Sequence, residues 1–155
     1  MKHQDSITIT GKWRLMARHI KTGEVIVKEG KNLVTTAGKE LVGDLLIDRT
    51  DYDTGMTYHA IGSDATAVAV SDTTLTVEEA RKAITSRTRS GAVITFSTFF
   101  TAAECTYDIQ EAGVFGHSTA SATPDSGILC SHYLVDFDNS GGLYDLTFDL
   151  VWTVG

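Results

Sequence analysis

Alternation of apolar and polar residues with a period of two runs through most of this chain. Between Ser6 and Arg18 the odd positions Ile7, Ile9, Trp13, Leu15 and Ala17 are apolar, and Thr8, Thr10, Lys12, Arg14 and Arg18 stand between them. Successive side chains of a strand point to opposite faces, so the pattern predicts a half-buried strand, broken only by Met16. Lys21-Thr22-Gly23-Glu24 supplies turn chemistry and EVIVKEGKNLV resumes the strand. Together they predict an N-terminal β-hairpin over about residues 6–34. The last strand is equally plain, with Leu146, Phe148, Leu150 and Trp152 alternating with Asp145, Thr147, Asp149 and Val151. Between these ends, residues 58–62, AITSRTRSG, AVITFSTFF, YDIQEAGVF and ILCSHYLVDF also read as strands. Ser90-Gly91 and DNSGG are their turns, and SDATAVAVSDTT is a long loop of small residues. Residues 75–80 fit a helical turn or extended chain leading into the basic strand.

One stretch follows the other period. AGKELVGDLLID sets Leu41, Val42, Leu45 and Leu46 on a single stripe, which predicts a helix over about 37–48 with Thr36 as N-cap. Gly38 and Gly43 each weaken it by about 1 kcal/mol relative to alanine, so packing of that stripe against a sheet must hold it. The sum is a mainly β chain, an antiparallel β-sandwich of about seven or eight strands with one flanking helix. At 155 residues it fits a single domain, 1–155, large enough to bury a core. The hairpin is free to extend to a partner.

Composition narrows the chemistry. A formal net charge of −7 opposes attraction to nucleic acid phosphates. Arg81, Lys82, Arg87 and Arg89 form one basic cluster, read as a solvated strand face rather than a polynucleotide site. No apolar run reaches the roughly 18 residues of a membrane span, and MKHQDSITIT offers no apolar signal segment. No nucleic acid and no membrane is therefore expected as a partner. Cys105 and Cys130 sit in or beside apolar runs and are expected as buried free thiols of a protein assembled in a reducing cytoplasm.

Sites of known chemistry are sought and not found. DFDNSGG places Asp136, Asp138 and Ser140 at alternate positions, but the twelfth position of a calcium loop is Thr147 rather than a bidentate Glu, so a hairpin turn is expected. Asp48, Asp51 and Asp53 read as a solvated acidic loop. His3, His19, His59, His117 and His132 are scattered without zinc spacing, and His59 reads as a hydrogen-bonded core or interface residue. There is no G-x-S-x-G elbow, no P-loop and no G-x-G-x-x-G. Glu104, Asp108 and Glu111 crowd one short segment with no aromatic sugar platform beside it, which disfavours a paired-carboxylate glycosidase. No catalytic residue, metal or cofactor is expected.

The order of the landmarks carries a resemblance. NLVTTAGKELVGDLL, then YHAIGSDATAVAVSDTTLTVEEARKAI, then ITFSTFFTAAECTYDIQEAGVFG, then ILCSHYLVDF and LTFDLVWTV cover roughly residues 30–155. In this order they resemble tail, tail-fibre and baseplate-associated structural proteins of tailed bacteriophages. SDATAVAVSD lacks the proline usual in that loop. The resemblance implies a non-enzymatic virion component, made in the host cytoplasm, that mediates protein–protein assembly at the tail, baseplate or fibre attachment. Other virion proteins and a homo-oligomer, ring or trimer, are the implied partners. Residues 1–34 and the loop at 117–127 are the expected contact elements. A capsid decoration protein of the phage head is the first alternative. The second is a carbohydrate- or receptor-binding module using Trp13, Tyr133, Tyr144 or Trp152.

Within the EAGVF run, Glu111 lies on a strand between apolar neighbours and needs partners, because a buried unpaired carboxylate is costly. The N–H groups of the Gly62-Ser63-Asp64 turn, or Arg81, are the candidates. Glu111, Gly62, Ser63 and Arg81 are thus the expected structural lock, joining the 58–66 loop to the 107–115 strand. A plain exposed glutamate is the competing reading.

Overall fold

The computed structural model describes residues 6–49 and 54–155, and it is a single curled antiparallel sheet with one α-helix. The strands are β1 (Ile9–His19), β2 (Val25–Val34), β3 (Met56–Gly62), β4 (Glu78–Ala83), β5 (Ser86–Ser90), β6 (Val93–Phe100), β7 (Asp108–Gly116), β8 (Ile128–Asp138) and β9 (Tyr144–Val154). Their spatial order is β4-β3-β7-β8-β2-β1-β9-β6-β5. The expected mainly β antiparallel fold with one flanking helix is what the chain adopts, with nine strands. The basic segment divides into two of them, β4 and β5.

Two layers arise because β2 belongs to both. Gly11–Arg18 of β1 pair with Asn32–Val25 of β2, whereas Leu33 and Val34 pair with His132 and Ser131 of β8. On the opposite side, the Ile84 N–H donates to the Thr57 carbonyl and the Thr85 N–H to that of Ser97, so β4 runs almost directly into β5. One layer is therefore β2-β1-β9-β6-β5 and the other β4-β3-β7-β8. The sheet nearly closes on itself, which reduces the exposed edge.

The core fills the space between the layers. Trp13, Leu15 and Ala17 of β1 face inward with Leu146, Phe148, Leu150 and Trp152 of β9, and all seven are buried. They meet Ala112, Val114, Tyr133, Val135 and Phe137 from the other layer. Trp13 and Tyr133 stack with ring centroids 5.4 Å apart. Two polar contacts cross this core. The Trp152 Nε1–H donates to Ser131 Oγ at 2.9 Å, and His59 Nε2 lies 2.6 Å from the Tyr133 hydroxyl. Burial holds His59 neutral, pushing its pKa down to about 3.

The helix α1 (Thr36–Leu46) corrects two expectations. Its N-cap is Thr35, not Thr36. Buried Thr35 accepts the Gly38 N–H at 3.0 Å and donates its hydroxyl to the Leu129 carbonyl. The stripe also faces inward only in its first turns. Leu41 is buried, but Leu45 is 41% and Leu46 75% exposed. Gly38 explains the tilt, because a Cβ there would collide with the Cys130 carbonyl. The glycine that lowers helix propensity is what lets the first turn rest on β8.

Candidate functional site

The second layer carries a small, separate core on its outer face, and the ionisable residues gather there. Ala60, Leu75, Phe115 and Leu129 form an apolar cluster outside the sheet, roofed by the 63–77 and 117–127 loops. Alternation along β7 sends Ala112 and Val114 to the main core. Glu111, Gly113 and Phe115 fall on the opposite side, and all five residues are buried.

Glu111 is fully buried at the centre of a polar chain. Its Oε1 accepts the Val77 N–H at 2.8 Å and its Oε2 the Thr76 N–H at 3.0 Å. His132 Nε2 lies 2.8 Å from the same Oε2, and His132 Nδ1 lies 2.7 Å from Asp72 Oδ2. Asp72 in turn accepts the Ala69 N–H at 2.7 Å. The chain Asp72–His132–Glu111 thus ties the later half of the 63–77 loop to the sheet.

The charges follow from this geometry. Burial alone would raise Glu111, but the His132 imidazole and the two backbone N–H groups outweigh it and hold the carboxyl below its usual range. Burial alone would lower His132, but hydrogen bonds to Glu111 and Asp72 outweigh it and hold the imidazole above its usual range. An imidazolium between two carboxylates is the consistent state. Each partner removes the cost the other would bear alone.

Arg81 stands in a second buried group. Its Nε and Nη2 make a forked pair with Glu78 at 2.6 and 2.8 Å, and both side chains are almost fully buried. Nη1 donates to the carbonyls of Ser121 and Ser126, and the guanidinium stacks 4.2 Å from the centre of the Phe115 ring. The 117–127 loop, expected as a contact element, is exposed at its tip and pinned at its base by this arginine.

The expected lock is accordingly rearranged. Glu111 is neither an exposed glutamate nor a partner of Arg81 or of the Ser63 N–H. Ser63 instead donates its N–H to the Val77 carbonyl and its hydroxyl to Glu79. Gly62 does adjoin Glu111, opposite it across the β3–β7 ladder. A Cβ on Gly62 would collide with the Val77 carbonyl and come within 2.7 Å of Glu111 Cγ. Asp64 caps its own turn through the Thr66 N–H. His132 and Asp72, missed in the sequence, complete the group. A polar residue inside the apolar run ILCSHYLV was the available signal for His132.

Other sequence candidates disperse. Lys82 pairs with Glu104 at 2.6 Å and Asp108 accepts from Gln110, so Glu104, Asp108 and Glu111 each have separate partners. Arg87 and Arg89 are exposed on β5, while Arg81 is not on a solvated face. Trp13, Tyr133 and Trp152 are buried, which removes them as a surface sugar platform, and half-buried Tyr144 packs edge-on against His19 and Phe137. Cys105 and Cys130 are free and buried, their thiols pushed up to about 11 and about 12 by burial. In the DNSGG turn, Asn139 donates to the carbonyls of Cys105 and Tyr144. No group of three or more His, Cys, Asp or Glu among the described residues is arranged to hold a metal ion. His3, Asp51 and Asp53 lie outside the described residues. Among those described, no helix is long and apolar enough to cross a membrane.

Apolar surface collects at one end of the molecule. Two adjoining depressions flank α1, one of about 300 Å³ lined by Leu41, Leu45, Met56, Phe96 and Trp152, the other by Ile7 and Leu46. They share Ile9 and Val42; Ile7 and Leu46 of their lining, and Ile47 next along the chain, are each more than 70% exposed. No protein-family model matches the chain, and no curated protein or solved structure matches it.

Proposed function

We propose that the chain is a non-enzymatic structural component of a tailed-phage virion, joining other virion proteins at the tail, baseplate or fibre attachment. The order of landmarks from NLVTTAGKELVGDLL to LTFDLVWTV motivates the reading. The observation that carries it is the apolar strip around α1. An exposed, contiguous apolar surface of this kind marks protein contact rather than small-molecule turnover. The ionisable groups fit the same role, because Glu111, His132, Asp72, Arg81 and Glu78 are spent on holding loops to the sheet.

The test is deletion of the gene from its phage genome, followed by electron microscopy and infectivity assays. Particles that lack part of the tail, and regain it when the chain is supplied, are the expected result. Missing density on the head would transfer the reading to capsid decoration. Complete, infectious particles would overturn it. Supplying the Leu46→Asp, Ile47→Asp double variant tests the strip itself. Both residues are exposed, so the variant should fold normally and fail to restore the particle.

A further inference from the structure

Among the described residues, nothing covers the outer face of β2-β1-β9-β6. Register fixes which side chains share it, in successive rows across the four strands. One row is Val27–Met16–Thr147–Phe99, and the next is Glu29–Arg14–Asp149–Ser97. On the other side of the first row, Val25 and Arg18 stand beside Asp145. None of these residues is buried, and Val25, Val27 and Phe99 are 49%, 46% and 40% exposed. The equivalent face of the other layer is roofed by two loops.

Charge is sorted by strand on this face. The outward ionisable side chains of β1 are Lys12, Arg14 and Arg18, all basic. Those of β9 are Asp145 and Asp149, both acidic. Within the chain the sorting is little used. Arg14 leans toward Glu29 at 3.6 Å, Asp149 accepts the Ser97 hydroxyl, and Asp145 accepts the Ala102 N–H. Lys12 and Arg18 make no ion pair among the described residues.

A two-fold axis parallel to the strands, between β1 and β9, turns this arrangement into a self-complementary surface. The rotation keeps each row and exchanges the columns, so β1 of one copy lies over β9 of the other and β2 over β6. Arg14 then faces Asp149 of the second copy, Arg18 faces its Asp145, and Val27 faces its Phe99. Around the axis the four charges alternate in sign. A depression of about 410 Å³ lined by Arg14, Glu29, Lys31 and Asp149 leaves room for the guanidinium to swing. Two-fold axes of other orientation do not give this match. An axis in the same plane but across the strands would set Arg14 against Arg18.

From this geometry we infer that the outer face of β2-β1-β9-β6 binds a second copy of the chain, stacked sheet on sheet about that two-fold axis. Such interfaces are isologous, so self-complementarity is the requirement they must meet. Aligned sheets stack about 10 Å apart, a gap that Arg and Asp side chains span from opposite sides. Four strands about 4.8 Å apart, the shortest of 8 residues and so about 26 Å long, offer roughly 500 Å² per copy, about 1,000 Å² in all, at the low end of specific interfaces. The dimer is therefore weak and salt-sensitive, formed at micromolar concentration and suited to an assembly that supplies further contacts. It does not depend on the virion reading.

Sedimentation of the purified full chain from about 1 to about 100 μM, the range fitting a small interface, tests it. Monomer should give way to dimer across that range, less readily at high salt. Arg14→Glu and Asp149→Lys should each weaken association at least tenfold, with melting temperatures near that of the parent when all are dilute enough to be monomeric. Mixed in equal amounts the two variants should form a heterodimer. The introduced glutamate of one then faces the introduced lysine of the other, and the unaltered Asp149 of the first faces the unaltered Arg14 of the second. A chain that stays monomeric throughout overturns the inference. So does a dimer indifferent to either reversal, or a mixture that fails to recover association. Should Asp149→Lys not fold, Val27→Glu replaces it. That exposed substitution should weaken the dimer through Phe99, and an unchanged dissociation constant overturns the inference.

Discussion

One curled sheet presents two unlike outer faces. Over β7 and β8 the chain folds its own loops back, seals an apolar cluster around Phe115, and commits Glu111, His132, Asp72, Arg81 and Glu78 to the seal. Over β1 and β9 it leaves basic and acidic columns and an apolar row in solvent. The difference teaches where charge acts. Under the loops the dielectric is low and loss of one partner strands another, whereas on the open face water screens each pair. Similar residue types should therefore differ several-fold in their effect on stability.

The largest effect should come from Glu111→Gln. The carboxylate takes two N–H groups and the His132 imidazole, and an amide at the Oε2 position would turn a donor toward both Thr76 N–H and His132. Leaving the imidazolium with one carboxylate, under cover, should cost about 3 kcal/mol. Urea denaturation measures it, and a loss below about 1 kcal/mol would show that the loop is held by Leu75 rather than by the charges. Gly62→Ala comes next. Its Cβ would displace the Val77 carbonyl or the Glu111 side chain, which should cost about 2 kcal/mol by overpacking. It should also raise hydrogen exchange at the Thr76 and Val77 amides before the rest of the sheet.

A smaller, pH-dependent effect separates the same two faces. His132 is raised above its ordinary value of 6.5, so its contribution is complete below that value and is lost as pH rises through the folded one. Glu111 is lowered below its ordinary 4.5, so its contribution is complete above that value and is lost as pH falls through the folded one. Stability should therefore form a plateau between about 4.5 and about 6.5 and decline on both sides, each unit of displacement being worth about 1.4 kcal/mol. His132→Gln should abolish the alkaline decline and also weaken the acid one, because the imidazole is the first of the groups that hold Glu111 down. Melting temperatures across the pH range, parent against variant, decide this. An alkaline decline that survives in the variant would assign it to another group.

The strands were legible because their signal is local. Period two placed Trp13, Leu15, Phe148 and Leu150 correctly, and the need of Glu111 for partners followed from one carboxylate among apolar neighbours. The partners were not legible, because they depend on distance in the chain. Thr76 and Val77 donate backbone groups, which no side-chain pattern marks, and Asp72 sits in a loop without periodicity. Arg81 misled for a related reason. Within a run of basic residues it looks solvated, and only the crossing of β4 beneath the 117–127 loop buries it against Glu78 and Phe115. The helix stripe misled in the opposite sense. Leu45 and Leu46 share their period with Leu41, but Gly38 docks only the first turns, so a spacing that describes one face does not say how much of it is covered.

The smallest effect should lie on the open face. Arg14 and Glu29 are 3.6 Å apart with about half or more of each side chain in water, so Arg14→Gln should change the stability of the dilute chain by less than about 0.5 kcal/mol. Lys12 and Lys31, directly opposite one another across β1 and β2, sharpen the point. Removing Lys31 relieves a like-charge pair and should stabilise slightly, by about 0.3 kcal/mol. Both values apply below the micromolar range. If Arg14→Gln instead lowers the melting temperature by an amount that grows with protein concentration, the residue is acting between copies, because only association makes stability depend on concentration. A concentration-independent loss comparable to that of Glu111→Gln would mean that this face is not open at all, and the contrast between the two faces would fall with it.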